Sequence, residues 1–184
     1  MERDVSARHY YKKRYLFQAL IILLIVSCDQ LSKYLVRANL TYGQSIPAEG
    51  GFFRILYALN DGVAFSMFQG GGTTLIIIQA VLVGLILAAL IYMNVRMAPS
   101  PPTYCLSLML SGGVGNLIDR ISAGMVTDFI AVGNFPVFNL ADSALTVGCF
   151  LMIGWVIFSE ASAARHAAKS VGAQEPASRQ DPES

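Results

Sequence analysis

The sequence predicts an all-α membrane protein with four transmembrane helices, and three observations carry that prediction. The 184-residue chain is 54% hydrophobic and only 14% charged, where soluble domains carry about 25% charged residues. Its mean hydropathy is +0.53. The charges are also clustered, which leaves four long stretches with few or none. The length suits a single domain. A net charge of +1, with basic residues grouped only in a short N-terminal cluster, removes the basis for nucleic-acid binding.

A helix needs about 20 mostly apolar residues to cross the hydrocarbon core. The first such stretch covers about 15–36 and holds Asp29 and Lys33 in its final turns. The second, about 73–93, has no charge. The third, about 102–118, is short and ends in the run Ser111-Gly112-Gly113-Val114-Gly115. The fourth, about 140–158, opens with Asp142. Backbone groups in lipid must be satisfied within the segment, so all four are expected to be helices.

The loop at 37–72 is too long for a simple connector. Within it Phe52-Phe53-Arg54-Ile55-Leu56-Tyr57 reads as a strand, and Gly70-Gly71-Gly72 ends the loop flexibly. The last residues, 161–184, are rich in Ala, Ser, Gln, Glu and Pro and read as a disordered tail, which leaves 1–160 as the membrane domain. Arg3, Arg8, Lys12, Lys13 and Arg14 precede the first span. Arg96 lies between the second and third, and Arg165 and Lys169 follow the fourth. The positive-inside rule then puts both termini in the cytoplasm, with 37–72 and 119–139 outside, although Arg37, Arg54 and Arg120 fall on the outer side.

Cys28, Cys105 and Cys149 all lie in spans, where they act as small apolar residues and not as a disulfide set. His9 and His166 sit in the polar termini, so no His/Cys cluster is available for a metal. Ile25-Val26-Ser27-Cys28 follows a basic start and an apolar run, which mimics a lipoprotein cleavage box. Three further spans after a lipidated cysteine would be odd, and the match is read as chance.

The informative residues are polar and gather at one membrane face. Ionisable groups in or beside spans are costly, and function is their default reading. Asp29 and Lys33 close the first span, and Asn60 lies in the outer loop. Asn116, Asp119 and Arg120 close the third span, Asp128 follows it, and Asn139 and Asp142 open the fourth. Each has a structural reading as well. Asp29 and Lys33 are spaced for a helical ion pair, Asp142 suits a helix N-terminus, and Asn60-Asp61-Gly62 suits a turn.

The chemistry open to this set is narrow. A Ser–Lys hydrolase would need Ser32 or Ser66 beside Lys33, yet Ser32 is its helical neighbour and points elsewhere. Two carboxylates held close cannot both ionise, so one keeps a proton while the other acts as base on water. Such a pair can hydrolyse an amide without metal or cofactor. A proton relay or small transporter is the alternative, but its acids would be spread through the membrane depth. A structural scaffold with polar residues as interhelical glue is a third reading.

Five blocks bring a family into view. They are Asp29-Gln30-Leu31-Ser32-Lys33, Asn60-Asp61-Gly62-Val63-Ala64-Phe65-Ser66, Gly112-Gly113-Val114-Gly115-Asn116-Leu117-Ile118-Asp119-Arg120, Val126-Thr127-Asp128-Phe129-Ile130, and Phe138-Asn139-Leu140-Ala141-Asp142-Ser143. In this order on four spans, the chain resembles the bacterial lipoprotein signal peptidases, the signal peptidase II family. The resemblance implies that Asp128 and Asp142 are the catalytic aspartates of an aspartic endopeptidase. It implies that Asp29, Asn60, Asn116, Asp119, Arg120 and Asn139, with Lys33 beside them, position substrate or brace the acids. The implied substrate is a prolipoprotein, cut just before its diacylglyceryl-modified cysteine at the outer face of the bacterial inner membrane. The resemblance further implies a small extracytoplasmic sheet cradling the substrate and a short outer helix, no metal or cofactor, and inhibition by globomycin. Membrane lipid is the expected surrounding, and a monomer is sufficient.

Overall fold

The computed structural model describes residues 2–48, 51–62 and 72–174. Four helices and three short strands follow one another as α1 (Glu2–Asn39), β1 (Ser45–Ile46), β2 (Phe53–Asn60), α2 (Gly72–Val95), α3 (Ser100–Ala123), β3 (Val126–Val132) and α4 (Leu140–Gln174). The helices form a bundle, and the strands form one antiparallel sheet of order β1-β2-β3 at the end where α1 and α3 finish.

Among the described residues, three helical segments are long and apolar enough to cross a membrane by length and composition: Tyr11–Asn39, Thr73–Val95 and Leu140–Lys169. The third expected span falls outside that set because α3 is more polar. Its 24 residues are long enough, about 36 Å at 1.5 Å per residue. Its polar groups are turned into protein: Thr103, Ser107, Ser111, Asn116 and Asp119 are all buried. α3 is the centre of the bundle and packs against α1, α2 and α4.

Missing side chains allow that central position. A Cβ at Gly112 would collide with the Ala141 carbonyl oxygen and with Leu145 of α4. One at Gly115 would lie 2.7 Å from the Asp29 carboxylate and 3.1 Å from the Ala141 Cβ. Small residues let helix backbones approach where bulk would hold them apart. α3 stops at Gly124, whose φ of 75° is left-handed and whose N–H bonds to the Arg120 carbonyl.

At the bundle end away from the sheet, Arg14 is turned inward and is 2% exposed. It donates to the Ala98 and Asn94 carbonyls at 2.7 and 3.4 Å, where a cation suits the end of α2. Apolar packing in the bundle centres on Leu90, Leu106 and Leu110.

The expected strand in the long loop is present as β2. β3 is a second long strand, built from the β-branched and aromatic run Val126–Val132. β2 and β3 pair with Ile55 opposite Ile130 and Ala58 opposite Asp128, with an irregularity between. The sheet sits on the end of α1, where Val36 and Leu40 pack against Phe129, with Ile55 and Tyr57 beside them. In the loop before α2 the described residues form strands and turns. The expected outer helix has no counterpart among them, and 49–50 and 63–71 lie outside the described residues, including Val63-Ala64-Phe65-Ser66 of the second block and Gly70-Gly71.

The tail departs from expectation. A disordered segment from 161 was anticipated, but α4 continues to Gln174. The stretch carries Ala161, Ala163, Ala164, Ala167 and Ala168, and Ala has the highest helix propensity. It also extends a formed helix, so no new nucleus is needed. Residues 175–184 lie outside the described residues.

Candidate active site

The site is organised around the first turn of α4. Asn139 stands just before the helix, and its Oδ1 accepts from the Asp142 N–H at 2.9 Å. Asp142 Oδ2 accepts in return from the Asn139 N–H at 3.2 Å. This is a reciprocal cap, with an aspartate in the place usually held by Glu or Gln. The Ala141 N–H, another free donor of that turn, bonds to Asp29 Oδ1 at 2.9 Å. A helix start that wants negative charge thus holds Asp142 in place from within and Asp29 from a neighbouring helix.

Asp128 reaches the same place from β3. It is 2% exposed. Its Oδ1 accepts from Asn139 Nδ2 at 2.7 Å and its Oδ2 from Asn60 Nδ2 at 3.0 Å. Asn60 ends β2, and its own Oδ1 takes the Gly62 N–H at 2.8 Å. Burial pushes the Asp128 carboxyl up to about 6, with the nearby Asp142 charge adding to the rise. The Asn60 and Asn139 amides and the Lys33 charge pull the other way.

Asn116 of α3 completes the bridge. Its Nδ2 donates to Asp142 Oδ1 at 2.7 Å. Its Oδ1 accepts from Asn139 Nδ2 and from Lys33 Nζ, both at 3.0 Å. The two donors on Oδ1 dictate which way the amide faces, so the NH2 must turn toward Asp142. Lys33 is fully buried and also pairs with Asp29 at 2.8 Å and Asp119 at 3.4 Å. Asp119 in turn accepts the Thr127 N–H at 3.0 Å, which ties β3 to α3 one residue before Asp128.

All nine residues anticipated from the sequence lie in or beside this network. The structural readings are realised: Asp29 and Lys33 form an i,i+4 pair, Asp142 sits at a helix start, and Asn60 shapes a turn. Three participants were not anticipated. Gln30 donates to Asp29, Asp119 and the Gly115 carbonyl. Arg37 Nη1 donates to Thr127 Oγ1 at 3.0 Å and lies 3.7 Å from Asp119. Gln79 accepts from Arg120 and donates to the Gly113 carbonyl at 3.0 Å. Gln79 left a visible signal, since it is a polar side chain inside an uncharged span.

Asp142 opens on two sides. A groove of about 440 Å³ runs between α2, α3 and α4, apolar along Leu75, Leu82 and Ile86, with Asn116, Arg120 and Asp142 in its wall. A second of about 440 Å³ passes Phe135 and Phe138 to the same carboxylate. The arrangement offers a buried acid with raised proton affinity and a more accessible acid. A lattice of amide donors fixes both, beside apolar grooves. Among the described residues no group of three or more His, Cys, Asp or Glu is placed to hold a metal ion.

Residues 21–158 match the family model described as signal peptidase (SPase) II. The chain is 44% identical over 154 residues to the lipoprotein signal peptidase of Dehalococcoides mccartyi, covering 79% of this chain and 94% of that one. It is 39% identical over 135 residues to that of Moorella thermoacetica, covering 72% and 87%. It is also similar to a solved bacterial membrane enzyme structure, with a TM-score of 0.69, 33% identity, and coverage of 79% of this chain and 90% of the other.

Proposed function

The chain belongs to the signal peptidase II family of membrane proteases, and on that premise we propose that it removes the signal peptide from prolipoproteins with Asp128 and Asp142 as its catalytic pair. The observation that carries the reading is the Asn139–Asn116 bridge, which bonds to both carboxylates at 2.7 Å. In the proposed reaction Asp142, the more accessible acid, is ionised and takes a proton from water. The water oxygen attacks the scissile carbonyl carbon. Asp128, which burial keeps protonated longer, donates to the carbonyl oxygen. Collapse of the tetrahedral intermediate breaks the C–N bond: one of its hydroxyls returns a proton to Asp128, the proton held on Asp142 passes to the leaving nitrogen, and both acids regain their starting states. No metal or cofactor enters this scheme.

The substrate proposed is a prolipoprotein whose cysteine, just after the cut, carries diacylglyceryl. The apolar grooves on either side of Asp142 suit a lipid-bearing chain. We propose α3 as a fourth crossing, its polar residues covered by α1, α2 and α4. The sheet end then faces outward and both termini face the cytoplasm of a bacterial inner membrane, in keeping with the basic residues near the other end. One chain supplies every side chain of the pair and its bridge, so a monomer suffices, and globomycin is expected to compete at this site.

The test is cleavage of a diacylglyceryl-modified prolipoprotein by purified protein in detergent. Asp128→Asn and Asp142→Asn are each expected to abolish it. Undiminished cleavage by either variant removes that residue from the pair.

A further inference from the structure

α2 is apolar from Leu75 to Ile91 except at one position, Gln79. A polar amide in a span is costly unless bonded. Both ends of this one are bonded to α3: Nε2 donates to the Gly113 carbonyl at 3.0 Å, and Oε1 accepts from Arg120 Nη1. Gly113 makes the reach possible, since a Cβ there would lie 2.9 Å from Val83 Cγ2 and push α2 away. Gly113 and Arg120 are seven residues apart, two helical turns, so one side chain on α2 can touch both.

The consequence falls on Arg120. A free arginine side chain samples many rotamers, and holding it in one costs entropy. Here one nitrogen is anchored by Gln79. The remaining N–H groups of the guanidinium have no acceptor among the described residues, and the side chain lines the same groove wall as Asn116 and Asp142. A planar donor fork beside the ionised acid suits a carbonyl or ester oxygen of the bound substrate.

We propose that Gln79 is a positioning residue that holds Arg120 ready to bind a carbonyl or ester oxygen of the lipidated substrate in the groove between α2, α3 and α4. This rests on the peptidase reading. Gln79 itself touches no reacting atom, so its effect is on substrate binding. Gln79→Leu removes the anchor, keeps the size and restores an apolar span, so folding is preserved.

The experiment is steady-state cleavage of a diacylglyceryl-modified prolipoprotein by wild type, Gln79→Leu, Arg120→Met and the double variant, with thermal unfolding of each. Gln79→Leu is expected to raise KM about tenfold, as for loss of one hydrogen bond to a charged group, with kcat within about twofold. In the Arg120→Met background the same change is expected to have no further effect on KM. Unchanged KM in Gln79→Leu, a fall in kcat alone, or an equal effect with and without Arg120 overturns the proposal. A loss of thermal stability with no change in KM also overturns it, by making Gln79 a packing residue. If wild type leaves the substrate uncut, the peptidase reading fails and this inference falls with it, a result distinct from the others because the parent protein is inactive.

Discussion

Replacing Asp128 with Asn is expected to abolish cleavage and, at alkaline pH, to stabilise the fold. The carboxyl is 2% exposed and its pKa is raised from 3.8 to about 6, chiefly by burial. Below pH 3.8 the group is protonated whether the chain is folded or not, and it costs nothing. Between 3.8 and about 6 only the unfolded chain ionises, so folding stability falls as pH rises. Above about 6 the full cost is present, about 3 kcal/mol at 1.36 kcal/mol per pH unit. Asn is neutral throughout and avoids that cost. It offers one oxygen where Asp128 takes donors from both Asn60 and Asn139, and the lost bond gives back about 1 kcal/mol. The net is a gain of about 2 kcal/mol at pH 8 and a loss of about 1 kcal/mol near pH 4. At about 2–4 °C per kcal/mol, Tm should rise by about 4–8 °C at pH 8. Thermal unfolding in detergent at the two pH values measures this. A variant less stable than wild type at both, or a difference that does not move with pH, refutes the reasoning. In wild type the same proton should shape activity, with kcat/KM falling as pH rises past about 6.

Lys33→Met leaves Asp29 buried without its cation and Asp119 with only Arg37 at 3.7 Å, and should cost about 3–5 kcal/mol in thermal unfolding; adding Asp29→Asn should recover part of it. Gly112→Ala puts a Cβ against the Ala141 carbonyl. It should cost about 1–3 kcal/mol and slow cleavage by displacing Asp142, whereas Gly84→Ala, with nothing within 4 Å of its Cβ, should do neither in the same assays. Treatment with a metal chelator is expected to leave the cleavage rate unchanged, and a loss restored by added zinc would contradict the two-carboxylate scheme.

Much of this was legible because a bilayer imposes strong rules. α1, α2 and α4 announce themselves by runs of apolar residues, and charges within them must have partners. Asp29 and Lys33 could be paired by spacing alone. α3 was less legible, since its Gly, Ser, Asn and Asp serve contacts with three neighbours and lower its own hydropathy. β3 was missed as a strand, although Val126, Thr127, Phe129 and Ile130 are suited to one. Its motif drew attention to Asp128 and away from the backbone. The convergence of Asn60, Asp128 and Asn139 depends on sheet register, which involves partners about 70 residues apart in the chain and follows from no local pattern. Arg37 and Gln30 escaped notice because a polar residue near a span end is ordinary until its partner is known.

The reciprocal cap between Asn139 and Asp142 bears on how this region can change length. The acid is three residues from Asn139, the residue that caps α4, and both belong to one hydrogen-bonded ring. Its place is therefore counted from the helix start and not from β3. Residues 133–137 can gain or lose members without turning Asp142 away, as long as Asn139 still reaches Asp128. A single insertion between Asn139 and Asp142 has the opposite effect, rotating the carboxylate by about 100° around the helix axis. The chain can revise the rim of its site by indels in one five-residue window, while the three steps after it tolerate none.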